Sequence, residues 1–184
     1  MSETIIRREW AMPNSATFKI KPIRRLLQRQ IDNSHGLWID PFSGGTKYAD
    51  ITNDLNPEIE SDYTLDAIEF LKDFEDSEVD GGVIYDPPYS PRQVKECYDN
   101  IGIEVTQEDT KTSFWSNARD EIARICNTGA VVVSCGWDSG GIGKTAGFEM
   151  NEILLVPHGG GRNDTIVTVE EKTRSRIQDF DNNE

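Results

Sequence analysis

The feature that most constrains this chain is the alternation of helical patterns with short apolar runs, each run closed by a turn signal. GLWID (36–40) runs into PFSGG, GGVIY (81–85) into DPPYS, and AVVVSCGW (130–137) into a glycine-rich stretch. Runs of five to eight residues suit buried strands better than helices. Strands alternating with helices point to an α/β domain with a largely parallel sheet. Residues 21–31 place Ile23, Leu26, Leu27 and Ile31 on one helical face, with Pro22 near the start where a missing N–H costs little. A second helix is predicted over 64–74. A third opens at Ser90-Pro91, an N-cap followed by proline at the first helical position, and runs to about Tyr98. A fourth covers SFWSNARDEIARICNTG, with Ala118, Ile122 and Ile125 inward and Gly129 as its C-cap. ADITNDLNP reads as a second short strand. FEMNEILLVPH and NDTIVTVEEK read as an antiparallel pair at one edge of the sheet.

A length of 184 residues fits one domain over 1–184, with loose ends expected at 1–15 and 174–184. A mean hydropathy of −0.57, with no apolar stretch near the ~18 residues of a membrane span, leads us to expect a soluble protein. The opening MSETIIRREW is charged where a secretion signal needs an apolar core, so a cytoplasmic location is expected. Cys97, Cys126 and Cys135 show no C-x-x-C spacing, and only His35 and His158 are present. Neither a disulfide scaffold nor a metal centre is expected from that set. The net charge of −14 argues against a general polyanion binder. The acid is uneven, however: residues 1–30 hold seven basic and two acidic side chains, and residues 31–80 hold two basic and fourteen acidic. Any nucleic-acid contact has to come from local patches.

Three strand ends carry candidate chemistry. Asp86-Pro87-Pro88-Tyr89 is a rigid platform: the prolines remove two N–H donors, leaving carbonyls to face a cavity. An aspartate there accepts from an amino group, and the tyrosine offers a flat face to a planar base. Asp40-Pro41-Phe42-Ser43-Gly44-Gly45 is a glycine turn after a strand, where ligands of open α/β sheets bind. Asp54 ends the next strand, a position suited to holding ribose hydroxyls.

In that order, these three features resemble the S-adenosylmethionine-dependent amino-methyltransferases, and more closely the small, phage-associated adenine-specific DNA methyltransferases. The likeness runs over roughly residues 17–172 and includes TFKIKPIRRLL, GLWIDPFSGG, ITNDLNP, YDPPYSPRQVKECY and SFWSNARDEIARI. It implies a Rossmann-like methyltransferase fold, mostly parallel with an antiparallel edge strand. It also implies methyl transfer from S-adenosylmethionine to the N6 amino group of adenine in DNA, in a bacterial or phage-infected cell. On this likeness Asp86, Pro87, Pro88 and Tyr89 are the catalytic platform. Asp40, Pro41, Phe42, Ser43, Gly44 and Asp54 are the cofactor site, with Lys21 from the N-terminal segment. Asp86 and the Pro87 carbonyl would accept from the amine, and Tyr89 would stack on a base flipped out of the duplex. One departure stands out: Thr46 occupies the place of the second glycine in the family's F-x-G-x-G pattern. No separate target-recognition domain fits, so specificity is left to short loops, a partner or a homo-oligomer. An RNA base amine, or a regulatory role with weak catalysis, is the alternative.

Two loops are candidates for nucleic-acid contact: residues 99–113, and residues 136–147 with five glycines, Trp137 and Lys144. Gly143-Lys144-Thr145 matches the end of a P-loop, but Asp138 stands where that pattern demands glycine, so an NTPase site is rejected. Arg24, Arg25 and Arg29, with Lys19 and Lys21, form a basic helix face that either meets a DNA backbone or is simply solvated. His158 reads as a loop histidine, Cys135 as a core residue and Trp115 as a packing residue.

Overall fold

The computed structural model describes residues 3–102 and 113–174. In chain order its elements are β1 (Ile5–Arg8), α1 (Lys21–Asn33), β2 (Trp38–Asp40), β3 (Ile51–Thr52), α2 (Ala67–Lys72), β4 (Gly82–Tyr85), α3 (Pro91–Asn100), α4 (Ser113–Ile125), β5 (Val131–Gly136), β6 (Phe148–Val156) and β7 (Thr165–Lys172). The seven strands form one sheet in the order β1-β6-β7-β5-β4-β2-β3. β2, β3, β4 and β5 pair in parallel, and β7 runs antiparallel to both β5 and β6.

The apolar runs are continuous because both faces of the sheet are covered. On one face Ile39, Val83 and Val132 pack against Phe70 and Leu71 of α2 and Ile122 and Ile125 of α4. On the other, Trp38, Ile84 and Val133 pack against Ile23, Leu26 and Leu27 of α1. The expected helical face of residues 21–31 is thus the one that covers the sheet. Ser90 caps α3, its Oγ accepting from the Gln93 N–H at 3.3 Å, and Pro91 follows at the first helical position. Asp66 caps α2 by accepting from the Ile68 N–H.

Three expectations need correction. Residues 5–8, expected to be loose, form β1, which pairs in parallel with β6 at the sheet edge. Its side chains are exposed, so no apolar alternation marks it in the sequence. The antiparallel pair of the last two strands is present, but β1 extends the sheet beyond it, so β7 lies two places in from the edge. Gly129 does not cap α4. The helix ends at Ile125, Cys126 bridges to Val79, and Gly129 donates its N–H to the Lys172 carbonyl in the turn into β5. No helix among the described residues is long and apolar enough to cross a membrane.

Candidate active site

The carboxyl ends of β2, β3 and β4 lie side by side, and the segment that follows each one enters a cavity of about 770 Å³. The size suits a cofactor-sized ligand.

The first segment is the glycine turn after β2. Gly44 and Gly45 sit at φ 53° and 80°, the left-handed region where a side chain costs energy. Thr46 does not need that conformation, so the position that departs from F-x-G-x-G asks nothing of glycine here. Buried Asn53 stitches the turn to β3: its Nδ2 donates to the Pro41 and Leu65 carbonyls at 3.1 and 3.0 Å, and its Oδ1 accepts from the Leu65 N–H at 3.0 Å. The Ser43 N–H adds a bond to the Asn53 carbonyl. Asp54 closes the arrangement, its Oδ2 accepting from the Gly44 N–H at 2.9 Å. Pro41, Phe42, Gly44 and Asp54 line the cavity.

Asp40 and Ser43 lie beneath this lining, both buried. Asp40 Oδ1 accepts from the Phe42 N–H at 3.0 Å, while its Oδ2 has no partner. The Thr46 hydroxyl faces Asp40 without closing a hydrogen bond. Burial pushes the Asp40 carboxyl up to about 8; the Phe42 N–H opposes this, and the charges of Asp86 and Asp54 add to it. Asp40 braces the turn from beneath the cavity lining through its bond to the Phe42 N–H. Lys21 opens α1 and is exposed; its neighbours Thr17 and Ile20 line the cavity instead.

The second segment is the turn after β4, and Asp86, Pro87, Pro88 and Tyr89 all line the cavity. Tyr89 Oη donates to Asp86 Oδ1 at 2.5 Å. The Tyr89 N–H donates to Gln93 Oε1 at 2.6 Å, and Trp115 Nε1 donates to the Pro88 carbonyl at 2.8 Å. The Pro88 carbonyl, expected to be free to face a cavity, is instead taken by Trp115. The indole packs, and it also aims the turn. Burial pushes the Asp86 carboxyl up, against hydrogen bonds from Tyr89 and Thr17 that lower it. Burial and the Asp86 charge push the Tyr89 phenol well up.

Sequence reasoning missed Thr17, Asn53 and the Asp66–Tyr98 pair. Tyr98 Oη donates to Asp66 Oδ2 at 2.6 Å, tying α3 to α2 across the cavity. Asn53 stands at the same strand end as Asp54 and is passed over for its charged neighbour, whereas Thr17, Asp66 and Tyr98 reach the cavity from elements that only the fold brings together.

The remaining candidates are placed as follows. The amides of Ile142 and Gly143 donate to the Glu170 carboxylate, so the glycine stretch there cradles a side chain rather than a phosphate. Trp137 stands at the cavity, edge-to-face with Tyr89 at 5.7 Å. On α1, Arg25 pairs with Glu9 and Arg29 with Glu152, so much of the basic face is neutralised within the chain. His158 is buried; its ring nitrogens hydrogen-bond the Ala11 carbonyl and Thr165 Oγ1. Of the 99–113 loop, residues 103–112 lie outside the described residues.

The chemistry of the first cavity's wall is one-sided. Asp54, Asp66, Asp86 and Glu96 line it, and no Lys, Arg or His does among the described residues. Such a wall favours a cation and disfavours phosphates.

No protein-family model and no curated protein sequence matches the chain. Solved structures do match in fold. TrmN from Thermus thermophilus aligns over 83% of this chain at 17% identity and a TM-score of 0.51. The Burkholderia thailandensis 1,6-didemethyltoxoflavin-N1-methyltransferase, solved with 1,6-didemethyltoxoflavin and S-adenosylhomocysteine, aligns over 84% of this chain and 78% of its own at 9% identity and 0.53. HI0767, a proposed methylase of Haemophilus influenzae, aligns over 83% of this chain and 89% of its own at 9% identity and 0.52. The chain spans about half the length of TrmN, 49%. At these identities the likeness is one of fold: a Rossmann-like α/β sheet shared with methyltransferases.

Proposed function

We propose that this chain transfers a methyl group from S-adenosylmethionine to the N6 amino group of adenine in DNA. The observation that carries the reading is the placement of Asp86 and Pro87 on the wall of an acidic, cofactor-sized cavity at the end of β4. The cofactor fits on charge. A sulfonium is a cation, and the lining holds four carboxylates and no basic side chain among the described residues. A fold neighbour holding S-adenosylhomocysteine supports the same choice. When bound, S-adenosylmethionine supplies a sulfonium methyl group, whose transfer forms an N–C bond, breaks the S–C bond and releases one proton from the amine.

The chain's own residues bind and orient. Asp54, which follows β3 and lines the cavity, accepts from the ribose hydroxyls, and the Gly44-Gly45 turn allows close backbone approach. Asp86 and the Pro87 carbonyl accept from the two amine hydrogens. That fixes the nitrogen in line and raises the electron density on it. Burial makes the Asp86 carboxylate a better proton acceptor than a solvated one. No covalent nucleophile is required. The choice of adenine in DNA rests on the resemblance carried by Asp86-Pro87-Pro88-Tyr89 and its neighbouring motifs.

The test has two parts. S-adenosylhomocysteine is expected to bind in calorimetry, and ATP is not. Duplex DNA, single-stranded DNA and RNA are then offered with methyl-labelled S-adenosylmethionine, and the nucleosides are resolved by mass spectrometry. Label in N6-methyldeoxyadenosine supports the reading. Label only in RNA overturns the choice of DNA, and failure to bind S-adenosylhomocysteine overturns the enzyme.

A further inference from the structure

A second cavity, of about 460 Å³, adjoins the first, and Pro87, Tyr89 and Trp137 line both. Its wall is different in kind. Tyr85 Oη, Ser134 Oγ, Thr168 Oγ1 and Arg119 Nε all belong to lining residues, and each is a buried polar atom without a hydrogen-bond partner. Among the described side chains only seven such atoms exist, so their concentration here is not scatter. They come from β4, β5, β7 and α4. Tyr85, Ser134 and Thr168 are all under a tenth exposed. Burial pushes the Tyr85 phenol up to about 12 with the nearby Arg119 guanidinium opposing, and neither Arg119 Nε nor that hydroxyl closes a hydrogen bond. Leaving a buried polar atom unpaired costs free energy, so a cavity that gathers four is built to be filled.

The inventory limits the occupant. Three hydroxyls donate or accept, and the guanidinium only donates. An edge with both kinds of group satisfies this set; a hydrocarbon does not. Two indoles, Trp115 and Trp137, and the rings of Pro87 and Pro91 supply flat apolar surface at the same cavity. Asp138 lines it, and Glu170 faces Arg119, so the surrounding charge opposes a phosphate.

We propose that this second cavity receives the heteroaromatic ring of the methyl acceptor, a nucleobase, and that Tyr85, Ser134, Thr168 and Arg119 read its polar edge. The proposal rests on the methyl-transfer reading for its chemistry. It makes the Pro87–Tyr89 turn a partition: the methyl donor on the acidic side, the acceptor ring on the hydroxyl-rich side, and the amine at the shared wall. Tyr85, Ser134, Thr168 and Arg119 thereby become specificity residues outside the catalytic turn.

The test titrates deoxyadenosine into the full chain saturated with S-adenosylhomocysteine, so that the first cavity is filled. Calorimetry and tryptophan fluorescence provide the readouts. Ser134→Ala/Thr168→Val keeps side-chain volume close to that of the wild type while removing two hydroxyls. Deoxyadenosine affinity is expected to fall about tenfold or more in this variant. S-adenosylhomocysteine affinity should stay within twofold. Arg119→Lys is a second variant, expected to weaken the nucleoside and not the cofactor product. Three results overturn the proposal: no deoxyadenosine binding at millimolar concentration, equal affinity in both variants and the wild type, or inorganic phosphate bound with the same dependence on Arg119. If S-adenosylhomocysteine fails to bind while deoxyadenosine still depends on Ser134 and Thr168, the methyl-transfer reading falls and the base site stands.

Discussion

The Tyr89 hydroxyl donates to Asp86 Oδ1 at 2.5 Å, so the two polar ends of the Asp86-Pro87-Pro88-Tyr89 turn are bonded to each other. The bond takes one lone pair of the carboxylate, so the substrate amine shares Asp86 with Tyr89. The bond also holds the Asp86 carboxyl below where burial alone would put it.

Tyr89→Phe removes that donor, so the Asp86 pKa is expected to rise further. Asp86 must be ionised to accept from the amine. The acid limb of kcat/KM against pH is therefore expected to move to higher pH in Tyr89→Phe. A limb that stays in place, or moves to lower pH, would show that Asp86 is not the group being titrated.

Asp40 governs a second pH effect, on stability. Its folded pKa is about 8 against an ordinary value of 3.8. Across that window the folded chain keeps a proton that the unfolded chain has lost, so stability falls as pH rises, by up to ~1.4 kcal/mol per pH unit. Asp40→Asn cannot titrate and keeps an oxygen for the Phe42 N–H. From pH 5 to pH 8 the melting temperature of the wild type is expected to drop relative to that of Asp40→Asn. Parallel curves would mean that Asp40 is ionised throughout.

Asn53 holds the glycine turn to β3 with three side-chain hydrogen bonds. Asn53→Ala leaves buried carbonyls and an N–H unpaired, at a cost of roughly 2–4 kcal/mol. Where the variant remains folded, S-adenosylhomocysteine affinity is expected to fall more than tenfold in calorimetry. Unchanged affinity would detach the turn from the cofactor site.

His158 clamps the N-terminal segment through the Ala11 carbonyl and Thr165. His158→Ala is expected to speed amide exchange at Glu9 and Ala11, whose N–H groups bond to Leu155 of β6 and to Pro157 just after it, while β4 and β5 stay protected. Uniform exchange across the sheet would instead place His158 in the general core.

The parallel core of this fold is legible in the sequence because β2, β4 and β5 are buried on both faces, which leaves continuous apolar runs such as Val131–Val133. β1 is not legible: it lies on an exposed edge, held by the β6 backbone and by the Arg7–Glu152 ion pair rather than by apolar burial of its own. The site divides in the same way. Asp54 and Asp86 end strands, and the fold puts such positions at the cavity. Lys21 falls just outside it because the helix begins there and the short turn at Thr17–Lys19 faces inward. Tyr85, Ser134 and Thr168 look in sequence like ordinary positions in apolar strands; only the pairing of Ser134 with Tyr85 of β4 and with Thr168 of β7 brings their hydroxyls together.

The most direct test of the central claim is methyl transfer by the wild type and Asp86→Ala, measured side by side on unmethylated duplex DNA. The account expects N6-methyldeoxyadenosine with the wild type and a loss of about a hundredfold or more in kcat with Asp86→Ala. S-adenosylhomocysteine affinity should change by no more than a few fold. Equal transfer by both proteins, or methylation at an atom other than N6, would contradict it.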